Sequence, residues 1–553
     1  SSKKFTITSS DDAGLTTIST HPVKRGELIL QSYATSIAID HSYRRSRCGF
    51  CASVVSLKDD NSSRRRQQQQ QQQHRCADGD IWCDECQMIA SCRSCTEAGA
   101  MKWHAESGEC RALQGMYQCY NDIFEGEGIE TSHVLTLRVL FRRWHDGAAP
   151  EARESVGDGA GAVPERKECP LPPVDWKLFS LLHTTDMTRK SSPAETEIYE
   201  NAITILCEQI REHFVDEENG ESSSYRRDGS WLTKSSYDDV MGKVCGCGHA
   251  ITDVSMDLGV QVIGGCLASE HSFYNHGCAP AGFFSCCWER SGPPDVPMNK
   301  DDDGQLTKKR RMQKPHVPGV MTNVHCISDL AAGDPITLSY IATSGLDRNE
   351  RRKQLKEGYY FDCVCRACSL KNPVALYWET MVKVPEEGCD VDALRSVQHT
   401  CYQALLNIRT ELYNIFDDDE KEEELLDDAE RYTYLIQMCQ KGIQNQNIPP
   451  CHEVSIEAHR LLALALSLMG RYDEAIEEHL NFLKAVEPVN ALFDPVAKGT
   501  QLMHLARDRI KMGDFVGGLR DLHYCRDTLN TALGQFHLFV TSVDEEIQST
   551  IVK

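Results

Sequence analysis

The chain has 553 residues, with 59 lysines and arginines against 82 aspartates and glutamates, giving a formal charge of −23. That surplus excludes a protein that coats nucleic acid non-specifically, since such binding depends on cations neutralising phosphates. A composition of 41% hydrophobic and 25% charged residues is globular, and the length suits about two to four domains.

No apolar run approaches the roughly 18 residues that a membrane helix needs. The segment SSKKFTITSSDD lacks the apolar stretch of a secretory signal, so none is expected. The 26 cysteines fall largely in close pairs. In a reducing compartment such pairs read as zinc ligands rather than disulfides, and a cytoplasmic and/or nuclear location is expected.

In chain order, HPVKRGELILQ, from His21 to Gln31, turns at Lys24 to Gly26 and then alternates, which predicts a strand pair. Cysteine pairs run from Cys48 to Cys110, interrupted by NSSRRRQQQQQQQH at 61–74, whose polar repeats predict a disordered loop. Val134, Leu135, Leu137, Leu140 and Phe141 share a predicted helix face. Stretches 145–170 and 289–318 read as surface insertions. From about residue 374 the pattern is helical and includes the acidic run Asp417 to Glu430, read as a solvated helix face. LSLMGRYDEAI with Gly470 and DRIKMGDFVGGL with Gly513 echo each other, which predicts a repeat-like helical domain similar to tetratricopeptide repeats.

The first ligand candidates are Cys48-x2-Cys51, Cys83-x2-Cys86, Cys92-x2-Cys95 and His104-x5-Cys110. Two intervening residues let both thiolates reach one tetrahedral ion, and four half-sites build two closed sites. A module with so little apolar material draws its folding energy from the metal. Such sites have no open position and are structural. Cys76 is a spare that can replace a ligand.

Four further segments stand together: Asn275-His276-Gly277-Cys278, then ITLSYI at 336–341 as a half-buried strand, then RRKQLKEGYYF at 351–361, then Cys363-x-Cys365-x2-Cys368. In this order the chain resembles the SET and MYND domain lysine methyltransferases over nearly its whole length. HPVKRGELI looks like the first SET strands and DLAAGDPITLSYI like the last. RRKQLKEGYYFDCVCRAC is the closest single match.

The resemblance implies an α+β multidomain fold. Residues 1–47 and 251–345 would form the SET core and 48–110 a MYND-type zinc module with an insert at about 58–75. Residues 111–250 would be a helical insertion, 346–372 a post-SET zinc segment and 373–553 a tetratricopeptide-like domain. It further implies that Cys48, Cys51, Cys92 and Cys95 hold one zinc, and Cys83, Cys86, His104 and Cys110 a second. Cys278, Cys363, Cys365 and Cys368 would hold a third. Gly14, Ser272, Tyr274, Asn275, His276, Tyr340 and Phe361 would contact S-adenosylmethionine, with Asn275 and His276 acting mostly through backbone groups. Tyr340 and Tyr359 would line the catalytic channel.

The implied reaction is N-methylation of a histone or non-histone lysine on a protein substrate, with further protein partners at the MYND module and helical domain. No membrane partner and no specific nucleic-acid binding are expected. The basic run KKRRMQK at 308–314 reads as a nuclear-import signal or a solvated loop.

The motif departs from the family pattern at Gly277 and Ala281, which replace polar residues. Only Gly14 remains of a G-x-G turn, and Cys247 and His249 replace a cofactor-contacting asparagine and a channel aromatic. The alternative reading is therefore a catalytically degenerate SET/MYND scaffold that binds partner proteins.

Overall fold

The computed structural model describes residues 5–10, 14–55, 81–123, 130–146, 172, 174–182, 192–212, 232–255, 259–288, 319–369, 371–385, 390–414 and 419–552. Cys76, the polar run at 61–74, most of the 145–170 stretch and the basic run at 308–314 lie outside them.

The fold is α+β, with small antiparallel sheets followed by a helical region. Strands β1 (Phe5–Ser10) and β2 (Gly14–Ser19) pair as a hairpin. Strand β3 (Leu28–Tyr33) does not pair with the segment before its turn. That segment makes one bridge, Val23 to Leu330, and the expected strand pair is replaced by long-range partners. The turn itself holds, with Gly26 at φ +85°.

Strand β4 (Ser36–Ile39) follows, and β5 (Ile81–Trp82) pairs with β6 (Ala90–Ser91) inside the cysteine-rich segment. Strands β7 (Gly248–Ser255) and β8 (Gly259–Leu267) join β4 in the order β4-β8-β7. Strands β9 (Gly282–Trp288) and β10 (Val320–Cys326) join β3 in the order β3-β10-β9.

The cysteine-rich segment is not a separate bead. Its buried Trp103 shares one core with Leu113 and Met116 of helix Glu109–Ile123, Phe141 of helix Thr131–His145 and Tyr237 of helix Lys234–Cys247. These apolar side chains recur at helical spacing, so each helix turns one face inward.

The segment 336–341 is not a regular strand. It runs extended through a crossing, with Pro335 bridging to Ile18 and Leu338 bridging in parallel to His276. Both Ile336 and Leu338 are buried, which produces the alternation without a continuous ladder.

The acidic run after Asp419 lies on helix Asp419–Asn445. Each of the two echoing stretches is a helical hairpin. Glu453–Leu468 turns at Gly470 (φ +71°) into Tyr472–Val486, and Pro495–Lys511 turns at Gly513 (φ +83°) into Phe515–Leu533. Such left-handed positions suit a residue without Cβ. Helix Phe515–Leu533 packs on β9 and β10, bringing the helical region against the sheet. Among the described residues no helix is long and apolar enough to cross a membrane.

Candidate functional site

Among the described residues three groups of metal-type ligands form, each with its ligand atoms within 4.8 Å of one another. They are Cys48, Cys51, Cys92 and Cys95; Cys83, Cys86, His104 and Cys110; and Cys278, Cys363, Cys365 and Cys368. The first two pairings interleave along the chain. Sulfur separations are 3.7 Å for Cys51–Cys92, 3.5 Å for Cys83–Cys110, 4.0 Å for Cys278–Cys363 and 3.5 Å for Cys278–Cys368. A zinc tetrahedron with bonds of about 2.3 Å has sulfur–sulfur edges of about 3.8 Å, whereas a disulfide needs about 2.05 Å. The geometry fits zinc.

The electrostatics of the crowded thiols point the same way. Cys110 and Cys86 hold the Cys83 thiol far below its ordinary range, while Cys83 and Cys86 push Cys110 far above. Crowded thiols compete for protons in this way, and a divalent cation that replaces the protons relieves the conflict.

The surroundings supply what the sequence reading missed. His104 points Nε2 at Cys86 Sγ, 3.5 Å away, and its Nδ1 lies 2.7 Å from Glu109 Oε2. Burial alone would raise the Glu109 carboxyl, but Arg138 and His104 hold it at about 2. A carboxylate on the far nitrogen fixes the tautomer and orientation of a ligating histidine. Arg138 donates to Glu109 Oε1 at 3.0 Å, to Ile37 O on β4 at 2.7 Å and to Gly49 O at 2.6 Å. One guanidinium thus ties the metal group to a strand.

At the third group, the buried Arg351 donates to Leu346 O and to Ala367 O. Burial opposes its charge, yet Cys278 and Cys368 hold its pKa above the usual arginine value. Thiolates at this group, as a bound cation would make them, are suited to compensate that buried charge.

Tyr340 lies next to this group. Its hydroxyl donates to Tyr274 O at 2.6 Å, and its ring centroid is 5.0 Å from Tyr359, whose hydroxyl donates to Tyr340 O at 3.0 Å. Tyr360 instead closes helix Arg348–Tyr359 in the left-handed region, φ +63°. His276 and Phe361 complete the cluster, with ring centroids 5.4 and 6.4 Å from Tyr340. Burial pushes the Tyr340, Tyr274 and Tyr359 hydroxyls up and the His276 imidazole down to about 4.

The crossing consumes backbone groups: Leu338 N–H donates to Asn275 O at 3.0 Å and Gly277 N–H to Leu338 O at 2.9 Å. At Gly277 a Cβ would stand 2.6 Å from Thr337 Oγ1, the atom that accepts from Ala281 N–H at 3.2 Å. Thr337 therefore fills the space that a side chain at 277 would need.

A cavity of about 860 Å³ opens on this cluster, lined by Ser272, Tyr274, Tyr340 and Tyr359 and, from the helical region, by Gln398 and Tyr402. Asn275, His276 and Phe361 do not line it. Gly14 opens β2 opposite Ser10, His276 and Phe361 pack against Tyr340, and Asn275 is held at the crossing through its carbonyl. The Ser272 hydroxyl donates to Ala268 O at 3.1 Å and to Cys247 O at 3.3 Å. Cys247 and His249 both line the cavity, and His249 stacks on Phe284 at 4.1 Å. Four atoms of the lining residues, His249 Nε2, His271 Nε2, Tyr274 Oη and Ser285 Oγ, are buried without a hydrogen-bond partner among the described residues. The atoms have almost no accessible surface of their own, so the cavity's suitability for an organic ligand rests on its volume and its aromatic lining.

No protein-family profile matches the chain, and a search of curated proteins finds no similar sequence.

Proposed function

We propose that the chain is a protein-lysine N-methyltransferase of the SET and MYND kind, with three structural zinc ions and S-adenosylmethionine as methyl donor. The observation that carries this reading is the crossing of two distant segments beside one cavity. Asn275-His276-Gly277-Cys278 crosses the 336–341 segment, and Tyr340 faces Tyr359 beside a metal group that joins Cys278 to Cys363, Cys365 and Cys368. Support for the cofactor comes from the cavity's volume and its aromatic walls.

When bound, S-adenosylmethionine supplies a methyl group on a cationic sulfonium. The chain's own residues align, desolvate and accept. The Tyr340 proton is committed to Tyr274 O, so the phenol oxygen presents acceptor character to an incoming amine or methyl group. Tyr359, held by the Tyr340 carbonyl, forms a second wall. Low-dielectric surroundings favour the neutral, nucleophilic amine over the ammonium. Holding the amine in line then supplies a large part of the rate enhancement.

Transfer of radiolabelled methyl groups to a lysine-peptide library tests this reading. Labelling is expected, with Tyr340→Phe lowering kcat about 100-fold or more, the scale of losing one transition-state contact. Absence of labelling together with absence of cofactor binding supports the alternative, a zinc-stabilised scaffold that binds partner proteins. The departures at Cys247 and His249 are what that alternative has in its favour.

A further inference from the structure

One imidazole spans the distance between the third metal group and the cavity wall. A backbone N–H can only donate, so the Tyr340 N–H, 3.1 Å from His276 Nδ1, fixes that nitrogen as an acceptor. The ring proton therefore sits on Nε2, which lies 3.1 Å from Cys278 Sγ. The four sulfurs of that group already supply a full tetrahedral set, and His276 stands outside it.

We propose that His276 is a positioning residue that donates its Nε2–H to the metal-bound thiolate of Cys278 and holds the Tyr340 backbone through Nδ1, so that metal occupancy sets the placement of Tyr340. The proposal rests on the third group holding zinc and is independent of methyl transfer.

Three features support it. A zinc with four thiolates carries a net negative charge, and N–H donors to sulfur disperse that charge. The group recruits such donors elsewhere, with Cys278 N–H 3.4 Å from Cys365 Sγ and Cys365 N–H 3.5 Å from Cys363 Sγ. Both ring nitrogens of His276 are engaged, so the ring cannot turn over without breaking two contacts. Tyr340 carries the linkage onward, through its hydroxyl to Tyr274 O and through its carbonyl to Tyr359. A histidine that merely filled the core would occupy the same volume but would not sense the ion.

The test uses the full chain with cadmium-113 in place of zinc and nitrogen-15 in its histidines. The unsubstituted protein should show a scalar coupling between a histidine Nε2 proton and one cadmium resonance, the one lost on Cys278→Ser. His276→Ala should shift that resonance and leave the other two in place. It should also accelerate amide exchange of Tyr340 about tenfold, the effect of one lost hydrogen bond. Three loaded sites with no coupling in the unsubstituted protein would overturn the proposal, even if the variant fails to fold. Loading of only two cadmium ions would overturn it together with the third zinc site, whatever cofactor binding shows.

Discussion

Gly277 occupies the place where the resemblance carries a polar residue, and the structure supplies a reason. Thr337 Oγ1 sits where a side chain at 277 would project and already accepts from Ala281 N–H. Gly277→Ser should therefore destabilise the protein by about 1 to 3 kcal/mol, the usual cost of overpacking, measured by urea denaturation of the zinc-loaded chain. An unchanged midpoint would mean that the crossing relaxes freely.

Glu109 makes a second residue-scale prediction. Without its carboxylate, His104 loses the partner that fixes its ligating nitrogen. Glu109→Gln should weaken zinc binding at Cys83, Cys86, His104 and Cys110 by about 10- to 100-fold. Chelator competition measures this, and the two all-cysteine groups should keep their affinity. Equal weakening of all three would contradict the assignment. Sequence spacing exposes the ligands because short intervals between cysteines reflect local turns. Glu109, Arg138 and Arg351 carry no such signal, because their roles arise from segments that meet only after folding.

Among the elements, helix Arg348–Tyr359 bears most directly on the cavity, because it delivers Tyr359. A capping box between Asp347 and Glu350 starts it. Glu350 also binds Arg395 and lies 3.4 Å from His452, anchoring the helix to the helical region. Burial raises the Glu350 carboxyl, but His452 and Arg395 outweigh it and hold it at about 2, against an ordinary 4.5. A depressed carboxyl stabilises the fold above its unfolded pKa, and that contribution fades as pH falls towards the folded value. Glu350→Gln should thus be less stable than the parent near pH 6, with the gap narrowing between about pH 4.5 and 2. Taking the difference between the two proteins removes the acid release of zinc that both share. A gap independent of pH would show that the ion pairs add nothing.

Helices and their turns were the legible elements, since Gly470 and Gly513 mark the bends that the apolar spacing implies. The 336–341 segment was less so. Its alternation reflects packing against β2 on one side and the Asn275-to-Cys278 crossing on the other, and periodicity cannot distinguish that from a ladder. The resemblance implies Tyr359 as the partner of Tyr340, and the helix end gives the physical reason, since Tyr360 turns away in the left-handed conformation.

Across the whole molecule, metal groups and cavity form a linked arrangement. The first two groups share a core with helices that reach Cys247, and Cys247 lines the cavity. The third group abuts Tyr340 through His276 and closes over the segment that carries Tyr359 and Phe361. The helical region completes the cavity from the opposite side. Ligand spacing made the candidate metal ligands readable from the sequence and the resemblance gave their grouping, whereas the walls that the helical region adds to the cavity were not readable. Those contacts depend on how Phe515–Leu533 settles on β9 and β10.

The central claim is that this cavity takes S-adenosylmethionine, and calorimetric titration of the zinc-loaded chain addresses it most directly. The account predicts micromolar binding, about −8 kcal/mol, largely kept in Tyr340→Phe and weakened in His276→Ala. No detectable heat or competition from a folded, fully zinc-loaded protein would contradict it.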